Sequence, residues 1–107
     1  PQVAVIHALR ADPEGNAIVG DNKGVDLELA MAADTVILTA EEIVPELTRA
    51  DITAPFADAV VLAPHGALPT SCHPLYALDG KSILAYTDQV SDPQTFQVYL
   101  EHFLAWD

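Results

Sequence analysis

The chain has 107 residues, and half of them are hydrophobic, which is enough for one modest core. Sixteen acidic residues against four basic ones give a formal net charge of -12, which excludes nucleic acid and anionic membrane surfaces as partners. The apolar runs are far shorter than the roughly 20 residues of a membrane-spanning helix, and the single cysteine allows no internal disulfide, as expected of a cytoplasmic protein.

Three short apolar segments predict the strands of a parallel sheet. Residues 3–9 (V-A-V-I-H-A-L) and residues 35–39 (T-V-I-L-T) are rich in apolar and β-branched side chains without alternation, a pattern typical of strands covered on both faces. Residues 60–62 form the third strand, and residues 17–19 add a short extended piece after the turn at residues 11–16. A helix-containing crossover between the first two strands gives the α/β class, a short parallel sheet with flanking helices.

The helices are predicted from apolar spacing and from start signals. Residues 23–33 form an amphipathic helix whose inner face carries Val25, Leu29 and Ala32 or Ala33. Shorter helices are predicted at residues 45–49 and 81–86, with residues 52–56 as loop or edge strand. The last helix begins with Asp92 as its cap and Pro93 at its first position, and we expect one buried stripe of Phe96, Tyr99, Leu100, Phe103 and Leu104.

The chain is predicted to be a single domain over residues 1–107, because no linker, repeat or low-complexity segment divides it. It begins at Pro1 with almost no residues before an apolar strand, which would sit naturally inside a larger sheet. We therefore expect the carboxyl-terminal part of a larger protein; a processed mature chain is the alternative.

The first candidate for a functional site is the stretch at residues 60–76 (V-V-L-A-P-H-G-A-L-P-T-S-C-H-P-L-Y). It runs from a buried strand into a shaped loop, and ligands of open α/β sheets bind at the carboxyl ends of strands. His65, Cys72 and His73 are zinc-binding residue types, but their spacing matches no zinc pattern, so no metal site is predicted. A cysteine nucleophile with a histidine base is disfavoured too, because catalytic partners usually come from distant segments.

Three further polar residues have two interpretations each. Glu41 and Glu42 stand where catalytic carboxylates often stand in α/β folds, but in so acidic a chain a solvated acidic turn is favoured. His7, on an apolar strand, is interpreted as a core or interface histidine bonded to a backbone carbonyl rather than as a base.

The five glycines form no phosphate-binding loop, so no permanently bound cofactor is expected.

Several segments taken together resemble a known family. H-A-L-R-A-D-P-E-G-N, then V-I-L-T-A-E-E-I-V, then V-V-L-A-P-H-G-A-L-P-T-S-C-H-P-L-Y are similar to the alpha (A) subunit of family I coenzyme A transferases, of the glutaconate CoA-transferase type. The match follows the order of the chain from residue 3 to residue 99 and corresponds to the carboxyl-terminal part of such a subunit. As a pair, the first and last motifs are fairly specific, whereas each alone is weak.

The resemblance implies the open α/β fold of the CoA-transferase superfamily and a reaction that moves coenzyme A from an acyl-CoA to a carboxylic acid. It implies a CoA thioester as substrate and a beta-subunit partner in a hetero-oligomer. In the family the thioester is attacked by a glutamate of the beta subunit, so no catalytic residue is assigned to this chain, which by itself should be inactive. The family's G-G-F type loop is also missing, because no two glycines are adjacent.

Four loop residues are the substrate or subunit-interface candidates under this resemblance: His65, Gly66, Thr70 and Ser71. A purely structural loop, shaped by its three prolines, is an equally good interpretation of the same residues. Two other functions stay open. One is a CoA-thioester ring-opening hydrolase on the same scaffold; the other is a non-catalytic domain for small-molecule binding or assembly, where the shortage of Lys and Arg counts against a phosphate ligand.

Overall fold

A computed structural model of the chain describes residues 1–105, so the last two residues of the predicted domain lie outside the described part. Its centre is a four-stranded sheet in the order β2-β1-β3-β4. The strands are β1 (Val3–Ala11), β2 (Ala17–Ile18), β3 (Thr35–Ile43) and β4 (Ala59–Leu62). β1, β3 and β4 run parallel, as predicted, whereas β2 pairs antiparallel with the end of β1.

One face of the sheet carries the core, and the prediction that both faces of the long strands are covered is wrong for the start of β1, although the other face is covered near Glu41. In β1 the buried residues Ala4, Ile6 and Ala8 alternate with Val3 and Val5, which are 54% and 64% exposed. Alternation means that neighbouring side chains point to opposite faces. The core therefore lies on one face of the sheet and is built of small and branched residues: Ala4, Ile6, Ala8, Ala11, Ala17, Ala30, Val36, Leu38, Ala40 and Ile52.

Helix α1 (Asp26–Ala32) lies against the core through a face that matches the predicted one only in part. Ala30 is buried and Ala33 packs against the core, but Val25 and Leu29 are exposed. The helix begins later than predicted, so Val25 is its capping residue and lies before the first turn.

The segment after β3 is irregular, and the helix predicted at residues 45–49 does not form. The N–H of Leu47 donates to the carboxylate of Asp12 at 3.1 Å instead of entering a helical ladder. Farther on, Ile52 is buried and forms an antiparallel bridge with Ala17 before a short 3-10 helix, Ala54–Phe56. Residues 52–56, predicted as loop or edge strand, thus combine one bridge with a 3-10 turn.

Asp12 is the one buried charged residue of the described chain, at 2% exposure. Its carboxylate accepts hydrogen bonds from the backbone N–H groups of Glu14, Gly15 and Asn16, from the Asn16 side chain and from Leu47. Burial by itself would raise its pKa, but these bonds to the ionised form outweigh burial and lower the pKa. Asp12 thereby fixes the turn between β1 and β2.

The last two helices, α2 (Gly80–Gln89) and α3 (Pro93–Phe103), form a hairpin beside the sheet. Asp79 and Asp92 cap them through their side chains, which confirms the predicted start of α3. The predicted buried stripe is wrong: Phe96, Tyr99 and Leu100 are partly buried, while Phe103 and Leu104 are 63% and 55% exposed. The two helices contact each other through Tyr86 of α2, whose ring lies edge-on to those of Phe96 and Tyr99 of α3, rather than packing into the core.

Among the helices of residues 1–105, none combines the length and the hydropathy that crossing a membrane requires.

Candidate functional site

The site is built on the pairing register of two parallel strands, β1 and β3. His7 of β1 lies opposite Thr39 of β3, and both side chains, with that of Glu41, point to the face opposite the core. His7 Nδ1 lies 2.8 Å from Thr39 Oγ1, and His7 Nε2 lies 2.8 Å from Glu41 Oε1. An ionised carboxylate only accepts, so Nε2–H donates to Glu41, and in the neutral ring Nδ1 accepts from the Thr39 hydroxyl.

Glu41 also holds the loop that follows β4. Its Oε2 accepts the N–H of His65 at 2.8 Å, and its Oε1 accepts the Tyr76 hydroxyl. The Tyr76 oxygen in turn accepts the N–H of Ala67 at 3.1 Å. One carboxylate, with only 8% of its side chain exposed, therefore anchors both ends of the loop at residues 63–76.

The loop geometry needs such an anchor at one residue in particular. His65 has a φ of 60°, a left-handed conformation that is uncommon for residues other than glycine, although histidine, asparagine and aspartate adopt it more often than the rest. That conformation turns its N–H toward Glu41, and its ring lies 5.1 Å from the Tyr76 ring, centroid to centroid. We infer that the bond to Glu41 compensates for the cost of this backbone conformation.

The hydrogen bonds set the protonation states of the cluster. Burial would raise the pKa of Glu41, but hydrogen bonds from Tyr76, from the His65 N–H and from His7 lower it to about 2. Burial and the bond to Glu41 raise the pKa of Tyr76 to about 12. Burial, together with the negative charge of Glu41, also raises the pKa of the Cys72 thiol. At neutral pH the cluster therefore holds an anionic Glu41, a neutral tyrosine and a protonated thiol.

The residues that come together include a possible ligand set, although not the one considered from the sequence. His7, Glu41 and Cys72 bring one nitrogen, one oxygen and one sulfur within 4.8 Å of one another, whereas His73 is exposed. These are donor types that bind zinc. Both oxygens of Glu41 also accept hydrogen bonds from neighbouring groups, so the three residues form part of a hydrogen-bonded network.

The four predicted loop residues divide into two pairs. His65 belongs to the cluster through its N–H, and Gly66 packs against it: a Cβ there would lie 2.8 Å from His7 Cε1 and from the Ala63 carbonyl oxygen. Thr70 and Ser71 are exposed, and the Thr70 hydroxyl donates to the Ala67 carbonyl at 2.5 Å within the loop's own turn. A contact of any of the four with substrate or partner stays a prediction.

The two acidic neighbours have opposite environments. The turn favoured for both is wrong, because both lie in β3; only the predicted exposure holds, and only for Glu42, whose side chain is 60% exposed and pairs with Arg10 at 3.1 Å. The bond predicted from His7 to a backbone carbonyl is likewise replaced by bonds to two side chains. Sequence reasoning missed Thr39 and Tyr76 altogether. The sequence did carry a signal for Thr39: it alternates with Ile37 and Glu41 along β3, which is longer than predicted, so the three side chains point to the same face of the sheet.

A groove of about 370 Å³ lies beside the cluster, between the end of β1, the end of β3 and the loop. Its lining combines apolar side chains with Arg10 and the two glutamates: Leu9, Arg10, Ile18, Glu41, Glu42, Pro74 and Leu75. It is thus a partly apolar space at the carboxyl ends of the strands, where α/β folds bind ligands.

The pKa values predict how the cluster responds to pH. The pKa of Glu41 is about 2 in the folded chain against 4.5 ordinarily, so its stabilising contribution is complete above pH 4.5 and is lost as pH falls from 4.5 to 2. The pKa of Tyr76 is about 12 against 10, so its contribution is complete below pH 10 and is lost as pH rises from 10 to 12. Urea unfolding across pH checks both windows.

Tyr76→Phe and Glu41→Gln are the reference variants for these two windows. The difference in unfolding free energy between the wild type and Glu41→Gln should shrink below pH 4.5, and the difference from Tyr76→Phe should shrink above pH 10. Differences that stay constant across those windows would contradict the assigned network.

The chain is similar in sequence to known proteins, although no family model matches it. It is 41% identical over 98 residues to the A subunit of glutaconate CoA-transferase from Acidaminococcus fermentans, covering 86% of this chain and 30% of that one. It is 33% identical over 108 residues to the A subunit of 3-oxoadipate CoA-transferase from Pseudomonas knackmussii, covering 97% of this chain and 38% of that one. The chain is thus similar, over most of its own length, to part of the A subunits of two CoA-transferases.

Solved structures agree with this similarity. The crystal structure of glutaconate CoA-transferase from Acidaminococcus fermentans matches with a TM-score of 0.87 and 37% identity, over 95% of this chain and 35% of that one. The α/β fold expected from the resemblance is therefore confirmed. A variant of the decarboxylase AibA/AibB matches equally well, with a TM-score of 0.86 and 40% identity, over 99% of this chain and 40% of that one.

The matched region is only part of each relative. The chain spans between 30% and 38% of the length of the two CoA-transferase subunits.

Proposed function

We propose that the chain is part of the A subunit of a CoA-transferase that moves coenzyme A from an acyl-CoA to a carboxylic acid. The observation that carries this proposal is the 41% identity to the A subunit of a glutaconate CoA-transferase, joined by 33% identity to that of a second CoA-transferase. Both relatives are named for dicarboxylates, so we propose a dicarboxylate as the acid. The ring-opening hydrolase and the non-catalytic domain are not favoured by these similarities.

The geometry supports a partner that supplies the nucleophile. A glutamate that attacks a thioester needs an accessible carboxylate oxygen that can reach the carbonyl carbon, whereas only 8% of the Glu41 side chain is exposed. In Glu41, Oε1 already accepts from His7 and Tyr76, and Oε2 accepts from His65. Glu41 is thus suited to holding the loop, and the attacking carboxylate is proposed to come from a beta subunit, with the acyl-CoA bound between the two.

A chimera provides the test. The matching segment of the Acidaminococcus fermentans A subunit is replaced by this chain, and the product is assembled with that enzyme's own second subunit. We expect CoA transfer to glutaconate to survive in the assembled chimera, measured by mass spectrometry of the acyl-CoA products, and no transfer by the 107-residue chain alone. A folded, assembled chimera without transfer, or turnover by the chain alone, would contradict the proposal.

A second candidate, decarboxylation, is favoured by one observation, the 40% identity to the AibA/AibB decarboxylase over 99% of the chain. The same chimera separates the two reactions. A CoA-transferase conserves the number of carbon atoms in the acid and moves the thioester, whereas a decarboxylase releases CO2 and leaves the thioester in place. Release of CO2 from a carboxylated acyl-CoA, without exchange of CoA between acids, would favour the decarboxylase.

A further inference from the structure

Positive charge is scarce on this chain, and one of the few cations lines the groove beside the cluster. The four basic residues are Arg10, Lys23, Arg49 and Lys81, of which Lys23 forms an ion pair with Asp51 at 3.0 Å. Among the residues that line the groove, Arg10 is the only basic one. A groove with one guanidinium in an otherwise acidic surface is a specific feature, because the rest of that surface repels anions.

The present partner of Arg10 is easily exchanged. Its Nε lies 3.1 Å from Glu42 Oε2, and the two side chains are 59% and 60% exposed. Exposed ion pairs of this kind contribute little to stability, because water screens them and ordering two long side chains costs entropy. A guanidinium also offers a planar fork of N–H donors that fits a carboxylate with two parallel bonds. An incoming carboxylate can therefore replace Glu42 at little cost.

The remaining lining suits the carbon chain of an acid. Leu9, Ile18, Pro74 and Leu75 give the groove an apolar wall. The second carboxylate of the groove, Glu41, accepts bonds from three groups of the cluster, which offsets much of its repulsion toward an anion. The carboxylate that competes for Arg10 is then Glu42.

We propose that this groove is the subsite for the distal carboxylate of the acid substrate, the one that is not joined to coenzyme A, with Arg10 as its receptor and Glu42 as the group it displaces. The proposal rests on the proposed function for the identity of the ligand as a dicarboxylate. Pro74 and Leu75 belong to the loop held by Glu41, so the loop also shapes this subsite.

Binding by the chain itself tests the proposal without any turnover. Glutarate serves as the dicarboxylate probe and glutaramide as its uncharged control, and the Arg10 Nε–H resonance is followed by NMR. We expect saturable binding of glutarate only, weakened at least tenfold in Arg10→Gln and less in Arg10→Lys. Glu42→Gln should bind glutarate several-fold more tightly because it removes the competing carboxylate. Lys81→Gln, a loss of one exposed positive charge elsewhere, should leave the affinity unchanged.

The opposite signs expected for Arg10→Gln and Glu42→Gln make the result specific. Equal affinity in Arg10→Gln, weaker binding in Glu42→Gln, or no binding of glutarate by the wild type would overturn the subsite. Arg10→Lys keeps the charge and shows that a loss in Arg10→Gln does not come from misfolding. If glutarate binding depends on Arg10 but the chimera transfers no CoA, the subsite is supported and the proposed function is contradicted. If the chimera transfers CoA but glutarate binding does not depend on Arg10, only the subsite is contradicted.

Discussion

Replacement of Glu41 by alanine is expected to lower the free energy of unfolding by about 3 kcal/mol, the loss typical of removing one partner from a buried, charged hydrogen-bond network. The His65 N–H, the Tyr76 hydroxyl and His7 Nε2 would all lose their acceptor. His65 would keep its left-handed backbone without the bond that compensates for it. The loop at residues 63–76 should therefore detach from the sheet.

Glu42→Ala is the matched control for that substitution. It removes the same charge from the adjacent residue of the same strand, but its side chain is 60% exposed and bonded only to exposed Arg10. We expect a change within about 0.5 kcal/mol for it. Urea unfolding gives the two free energies, and hydrogen exchange at the His65 and Ala67 amides reports the loop directly.

Hydrogen exchange in the loop distinguishes the loss of the Glu41 hydrogen bonds from a simple loss of packing. In Glu41→Ala the His65 amide should exchange far faster than in the wild type, while the amides in the middle of β1 and β3 stay protected under native conditions. Equal losses of stability in Glu41→Ala and Glu42→Ala, or unchanged protection at His65, would contradict the role assigned to Glu41.

The parts of the fold that could be predicted are those decided within a short window of sequence. Three strands follow from their own β-branched residues, and α3 starts where Asp92 and Pro93 provide a cap and a fixed backbone angle. Neither inference needs to know what the element packs against. Errors begin where that knowledge is needed: the stripe on α3 looks like a core face, but that helix contacts α2 and solvent instead.

The candidate site could be located from the sequence but not assembled from it. The composition of residues 60–76 and their place after a strand indicated the right loop. The carboxylate that organises the loop comes from β3, and its contacts depend on the pairing register that sets His7 opposite Thr39. A register between strands is a long-range property, since the two residues are separated by a helix and a turn. Placing the end of β3 too early put Glu41 in a turn and hid that relation.

Replacement of Asp12 by alanine is the other change with a large expected effect, a loss of about 4 kcal/mol in unfolding free energy, because it leaves buried backbone donors without an acceptor. Asp12 accepts five hydrogen bonds, from Glu14, Gly15, Leu47 and twice from Asn16. Those bonds join the turn after β1 to the irregular segment after β3. Water cannot easily replace the lost oxygens at a site that is 2% exposed.

Glu14→Ala in the same turn is the control, because it removes an equal charge from an exposed side chain and should change stability by less than about 0.5 kcal/mol. Asp12→Asn keeps one side-chain acceptor but replaces the other with a donor that faces N–H groups. We therefore expect its loss of unfolding free energy to lie between those of Glu14→Ala and Asp12→Ala. The pKa of Asp12 is lowered by folding, so its contribution is present above its ordinary value of 3.8 and is lost as pH falls below that. The gap between wild type and Asp12→Asn in urea unfolding should therefore narrow in acid; a gap of constant size would mean that the charge of Asp12 is not what holds the turn.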